Sequence, residues 1–223
     1  MWCGLIQIDQ FWFDEAFVVF NYPVAHLEWL SALSGVLAVW LAARENILSW
    51  PVGLVNILSA FFIYHHVQLY ADMFLQVYFF GMGLYGWHHW QREHRAALPL
   101  KWMSAKMRLA SGVFVVSGSA VMGWCMTRLH IWFPQWFFVA AAFPYADSAV
   151  AVGSVLANFL LARRYLENWI LWIGIDLLCV YLYFNKGILL IALEFLVFLA
   201  LASYGLFYWT RLKKSNERTT QRV

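Results

Sequence analysis

The stretch from Glu167 to Leu178 reads ENWILWIGIDLL and sets a carboxylate inside an apolar run. On a helix, Trp169, Trp172 and Asp176 stand at i, i+3 and i+7, so they share one face. An aromatic face attracts a cation, by about 2 kcal/mol or more once the cation is desolvated. A carboxylate one turn along adds attraction of the same sign. The spacing predicts a wall suited to a flat, cationic ring. Trp169 lies nearer the helix end, which makes Trp172 the better candidate for contact with a ligand.

Amides accompany this wall. Asn56 and Gln76 fall inside apolar runs of their own, and Asp147, Ser154 and Asn158 form a stripe at steps of seven and four. Ser49, Asn56 and Ser59 form a second stripe at steps of seven and three. Amides suit hydrogen-bonding groups on the edge of a ring or a sugar. Asn56, Gln76 and Asn158 are therefore candidate ligand contacts, whereas Ser59 and Ser154 suit bonds between helices better. Glu194 lies in an apolar run near the end of the chain and is a second candidate for balancing a cationic charge.

Metal chemistry fits poorly. His65 and His66 stand about one membrane thickness from His88, His89 and His94, and adjacent histidines point about 100° apart on a helix. Cys3, Cys125 and Cys179 have no metal-ligand spacing. No cofactor and no metal site are expected, and no residue set suggests an enzyme.

Such side chains need elements that hold them in an apolar medium. Charged residues make up 12% of the 223-residue chain, about half the share in a soluble domain, and its mean hydropathy is +0.64. The apolar runs are continuous and about twenty residues long, which indicates membrane-crossing helices rather than a β-barrel. In that setting an ionisable side chain is costly and faces a cavity by default. The fold expected is all-α, integral to a membrane, with seven spans near 26–43, 46–65, 69–90, 109–127, 145–162, 167–184 and 187–209. The segment 130–143, interrupted by Pro134, reads as interfacial.

With seven spans, 13 of the 15 Lys and Arg fall on one side. The positive-inside rule then puts the C-terminus in the cytoplasm and the N-terminus outside. Arg44 is the first basic residue, so the start of the sequence does not resemble a secretory signal. The basic charges satisfy the topology and need no nucleic acid to explain them.

The chain also repeats itself. Shifted by 119, positions 35–90 align with 154–209 without a gap, at 13 identities in 56 pairs. VLAVWLAAR meets VLANFLLAR, and YGWHHW meets YGLFYW. A fourth helix between two triplets makes the copies parallel, as in the SWEET sugar transporters. This gives an acidic leader (1–25), a first triplet (26–90), a connecting part (91–144), a second triplet (145–209) and a basic tail (210–223). Trp169, Trp172 and Asp176 correspond to Trp50, Gly53 and Ile57, so a site between the halves is lopsided. Trp90 and Trp209, at the cytoplasmic ends, read as interfacial anchors.

Residues 50–90, with GLVN, LYADMFLQ and YGWHHW, and residues 165–198, with ENWILW, resemble the PnuC family of bacterial vitamin transporters. The resemblance covers about 25–210. It implies a seven-helix, SWEET-like 3+1+3 fold in the bacterial cytoplasmic membrane. It implies a homo-oligomer, with a trimer as one form. The activity implied is facilitated diffusion of a vitamin that a cytoplasmic kinase then traps. The contexts of Asn56 and Gln76 look most like the nicotinamide riboside branch. Thiamine is also a flat cation and stays open as the vitamin; riboflavin is neutral and fits the acidic wall less well. An ion-coupled carrier, with Asp176 and Glu194 as proton sites, is the alternative from another class.

Overall fold

A computed structural model describes residues 11–19, 22–66, 70–96, 100–135 and 142–220. Among these residues are seven helices of 18 residues or more. They are α1 (His26–Ala43), α2 (Ser49–His66), α3 (Tyr70–Ala96), α4 (Ala105–Trp132), α5 (Pro144–Ala162), α6 (Glu167–Asn185) and α7 (Leu189–Thr220). Five of them, α1, α4, α5, α6 and α7, are long and apolar enough in their described residues to cross a membrane. The chain is a multi-pass membrane protein.

Several boundaries differ from expectation, each for a local reason. The leader holds a small antiparallel hairpin, β1 (Glu15–Val19) with β2 (Tyr22–Ala25). Phe17, Val18 and Val19 are the aromatic and β-branched types that fit a pleated surface. Residues 1–10 lie outside the described part. Between the third and fourth spans expected, 91–108 is helical at both ends, since α3 continues to Ala96 and α4 starts at Ala105 behind an N-cap at Ser104. Pro134 disfavours helix at the residue before it, and α4 stops at Trp132. Of the stretch read as interfacial, 136–141 lies outside the described residues. The basic tail is not separate: α7 runs on to Thr220, with Lys213 paired to Glu217 one turn along.

Helix α2 packs between α1 and α3, and α6 packs between α5 and α7. The two triplets meet where α1 touches α7 and where α3 touches α5. Shifted by 119, the starts of α1, α2 and α3 fall at 145, 168 and 189. The helices observed there start at Pro144, Glu167 and Leu189. The same shift turns the α1–α7 contact into the α5–α3 contact.

The match extends to single bonds. Trp90 Nε1 donates to the Leu161 carbonyl at 3.3 Å, and Trp209 Nε1 donates to the Ala42 carbonyl at 3.2 Å. Each bond crosses from one triplet to the other, and the shift converts one into the other. Trp90 is 3% exposed and Trp209 fully buried, so neither is an interfacial anchor. Their indole N–H groups find partners on the opposite triplet, which periodicity within one helix cannot reveal.

Helices α1 and α5 also end alike. The Asn46 N–H donates to Leu41 and the Tyr165 N–H donates to Leu160, each at 2.9 Å. This is the bond of a Schellman turn, in which the residue just before the donor is left-handed and usually Gly. Here Glu45 (φ 58) and Arg164 (φ 61) occupy those places. They form an ion pair with each other across the triplets, with side chains 13% and 7% exposed.

The segment before α4 is fixed to this same end. Lys101 pairs with Tyr165 in a short parallel bridge. The buried carboxylate of Glu167 accepts from the Met103 N–H at 3.0 and 3.1 Å and from Arg108 Nε at 2.8 Å.

Candidate substrate-binding cavity

A cavity of about 280 Å³ lies between the triplets, and every helix except α4 contributes to its wall. Sites between helices of a bundle commonly hold small molecules, and this volume is near the lower end of their range.

Six of the seven candidate residues line the cavity: Asn56 from α2, Gln76 from α3, Asn158 from α5, and Trp169, Trp172 and Asp176 from α6. The face predicted for ENWILWIGIDLL therefore turns inward as a unit. Glu194 is half-buried on α7 but is not in the wall; its neighbour Phe195 is. Ser49 also lines the cavity, while Ser59 and Ser154 are buried elsewhere. Asp147 lies outside the wall and pairs with Lys186 at 3.7 Å.

Electrostatically, one residue dominates. Asp176 is 3% exposed, and no cation stands within salt-bridge distance of it among the described residues. A carboxylate withdrawn from water costs several kcal/mol unless something compensates it. Trp172 stands on the same face one turn away. Of the amides, Asn56 has its nitrogen end engaged. Asn56 donates its Nδ2 to the Ser31 carbonyl at 2.8 Å and to the Ser31 hydroxyl oxygen at 3.1 Å. Asn158 Oδ1 is buried without a hydrogen bond among the described residues.

The floor is aromatic. Trp50 and Trp169 line the cavity and are equivalent under the shift of 119. Trp50 meets Trp90 edge-on at 5.4 Å, Trp90 meets Trp209 at 5.9 Å, and Trp209 meets Trp169 edge-on at 5.4 Å. Gly86 and Gly205, also equivalent, let these rings in. A Cβ on Gly86 would stand 2.2 Å from Trp50, and one on Gly205 would stand 2.7 Å from Trp169. The indole N–H groups of Trp50 and Trp169 are buried with no acceptor among the described residues.

Trp50, Phe79 and Phe198 line the cavity without having been singled out as contacts. The repeat carried the signal. Positions identical in both copies, such as Trp50/Trp169 and Phe79/Phe198, build the cavity's frame. Positions that differ, such as Val39/Asn158, Ile57/Asp176 and Gln76/Phe195, supply its polarity.

Comparison with known proteins gives the family and the fold. The family profile described as nicotinamide mononucleotide transporter matches residues 25–211. The chain belongs to that transporter family. Among its relatives in the family is the nicotinamide riboside transporter PnuC of Escherichia coli (strain K12), 29% identical over 85% of this chain and 87% of that protein. Another relative, the riboflavin/roseoflavin transporter RibM of Streptomyces davaonensis, is 25% identical over 92% of this chain and 94% of its own length. The crystal structure of the vitamin B3 transporter PnuC shares the fold, with a TM-score of 0.64 at 23% identity, over 85% of this chain and 82% of the other.

Proposed function

We propose that this family member carries nicotinamide riboside across a bacterial cytoplasmic membrane by facilitated diffusion, the substrate then being trapped inside by a kinase. The observation that carries this reading is Asp176, buried with no cation in reach among the described residues, beside Trp172 in a cavity shared by both triplets. A pyridinium ring brings the missing positive charge and a face for Trp172. Asn56, Gln76 and Asn158 then meet the carboxamide and ribose, and Trp169 closes the floor. Glu194, outside the wall, acts on the charge only at longer range. Riboflavin, the substrate named for the Streptomyces relative, is neutral and leaves Asp176 uncompensated. Thiamine shares the positive charge and is the closest competitor.

The transport frame we infer is seven spans in a SWEET-like 3+1+3 order, with the N-terminus outside and the C-terminus in the cytoplasm. The one-sided distribution of Lys and Arg supports that orientation. The frame alternates access by moving one triplet against the other.

Uptake of labelled nicotinamide riboside into proteoliposomes tests the proposal. Saturable uptake without any ion gradient is expected, blocked by unlabelled riboside at concentrations where riboflavin has no effect. Equal uptake by an Asn56→Ala, Gln76→Ala double variant would remove the cavity from the pathway. Uptake that stops when ion gradients are collapsed would replace diffusion by ion coupling. Stronger block by thiamine than by the riboside would change the vitamin.

A further inference from the structure

We propose that Ser31 and Gly35, both on α1, are positioning residues that fix which end of the Asn56 amide faces the substrate. They thereby make the cavity select for a ligand that donates a hydrogen bond at that place. The inference rests on the cavity being the substrate site.

An asparagine amide can be turned end for end with little change in shape, so its polarity must come from its neighbours. The Ser31 main-chain oxygen can only accept, and it stands 2.8 Å from Asn56 Nδ2. The same nitrogen also donates to the Ser31 hydroxyl oxygen at 3.1 Å. Turned over, the amide would set its oxygen against a carbonyl oxygen and leave that carbonyl without this donor. The nitrogen end is therefore committed to α1.

Gly35 leaves the space for this arrangement. A Cβ there would stand 3.0 Å from Asn56 Nδ2 and 3.5 Å from its Cγ. A side chain at position 35 would force the amide to give by a few tenths of an ångström, enough to disturb its bonds to Ser31. No such constraint shows in the repeat, because Asn56 and Gly35 correspond to Ile175 and Ser154.

What remains for a ligand at Asn56 is Oδ1, an acceptor. It accepts no hydrogen bond among the described residues, and Asn56 lines the cavity. A hydroxyl or an amide N–H satisfies it. A carboxylate or a missing hydroxyl does not, and a buried acceptor left without a donor costs binding. Discrimination by such a group is larger than discrimination by fit to an apolar pocket.

The test measures uptake of nicotinamide riboside by the full-length chain, with competition by two analogues. One is nicotinic acid riboside, which replaces the carboxamide by a carboxylate. The other is a deoxy-riboside, which lacks a hydroxyl donor. The wild-type chain is expected to reject at least one analogue by about tenfold, the equivalent of one hydrogen bond. Gly35→Ala should raise KM about tenfold with little change in maximal rate, and should lose that rejection. Ser31→Ala should shift both in the same direction but less, because the main-chain bond survives. Ser31→Thr keeps the hydroxyl and should restore wild-type values. The serine pair of variants decides the matter if Gly35→Ala fails to fold. Wild-type KM and analogue rejection in both Gly35→Ala and Ser31→Ala, with losses in Asn56→Ala, would overturn the positioning role and leave the substrate site intact. No saturable uptake by the wild-type chain would sink the substrate reading and this inference with it.

Discussion

Asp176 and Trp172 act on the same feature of a ligand, its positive charge, by different physics. The pyridinium nitrogen carries no hydrogen, so the carboxylate attracts it by charge alone, worth about 1 to 4 kcal/mol for charges about 4 Å apart. Asp176→Asn should therefore raise KM for a cationic riboside roughly 10- to 100-fold, measured as initial uptake rates. Trp172→Ala removes a ring face worth about 2 kcal/mol to a desolvated cation, or roughly 30-fold. A neutral ligand of similar size should be far less sensitive to Asp176→Asn, which separates charge from general packing. Most of this pair's role is legible in the sequence, because i, i+3 and i+7 on a helix must share a face. The orientation of the Asn56 amide is not, because it depends on a carbonyl 25 residues away on another helix.

At the scale of helices, the sequence conveys boundaries better than burial. The apolar runs locate all seven helices, and the departures come at their ends, where charged residues that favour helix extend α3 and α7. The tryptophans are the harder case. A tryptophan near a helix end fits an interfacial belt and a packed crossing equally well, and only the partner helix distinguishes them. Gly86 and Gly205 are what the packed crossing requires. Gly86→Ala should lower the melting temperature by roughly 2 to 10 °C, given about 1–3 kcal/mol for overpacking in a protein of this size. Gly205→Ala should cost less, since its nearest ring atom is farther away, at 2.7 Å against 2.2 Å. Gly112→Ala on α4 meets nothing within 4 Å and serves as the control. Fluorescence-detected thermal unfolding in detergent orders the three variants.

For the molecule as a whole, the two triplets are joined by contacts that exchange under the repeat: the crossed indole bonds, the α1–α7 and α3–α5 faces, and the Glu45–Arg164 pair. Breaking a buried pair by neutralising one partner costs about 3–5 kcal/mol. Glu45→Gln and Arg164→Gln should each lower the thermal stability of the purified chain. The exchanged variant, Glu45→Arg with Arg164→Glu, should recover most of the loss, because both positions share the same left-handed backbone. Failure of the exchange to recover stability would mean that surroundings, not mutual attraction, fix the two side chains.

Glu45 and Arg164 are one and the same position in the two copies. Two identical triplets brought together would set Glu against Glu, or Arg against Arg, at the place where this pair forms. Self-association of a single three-helix unit could not make the contact. The interface between the halves thus depends on the copies having diverged, and the chain's two-in-one construction is built into its charge pattern as well as its length.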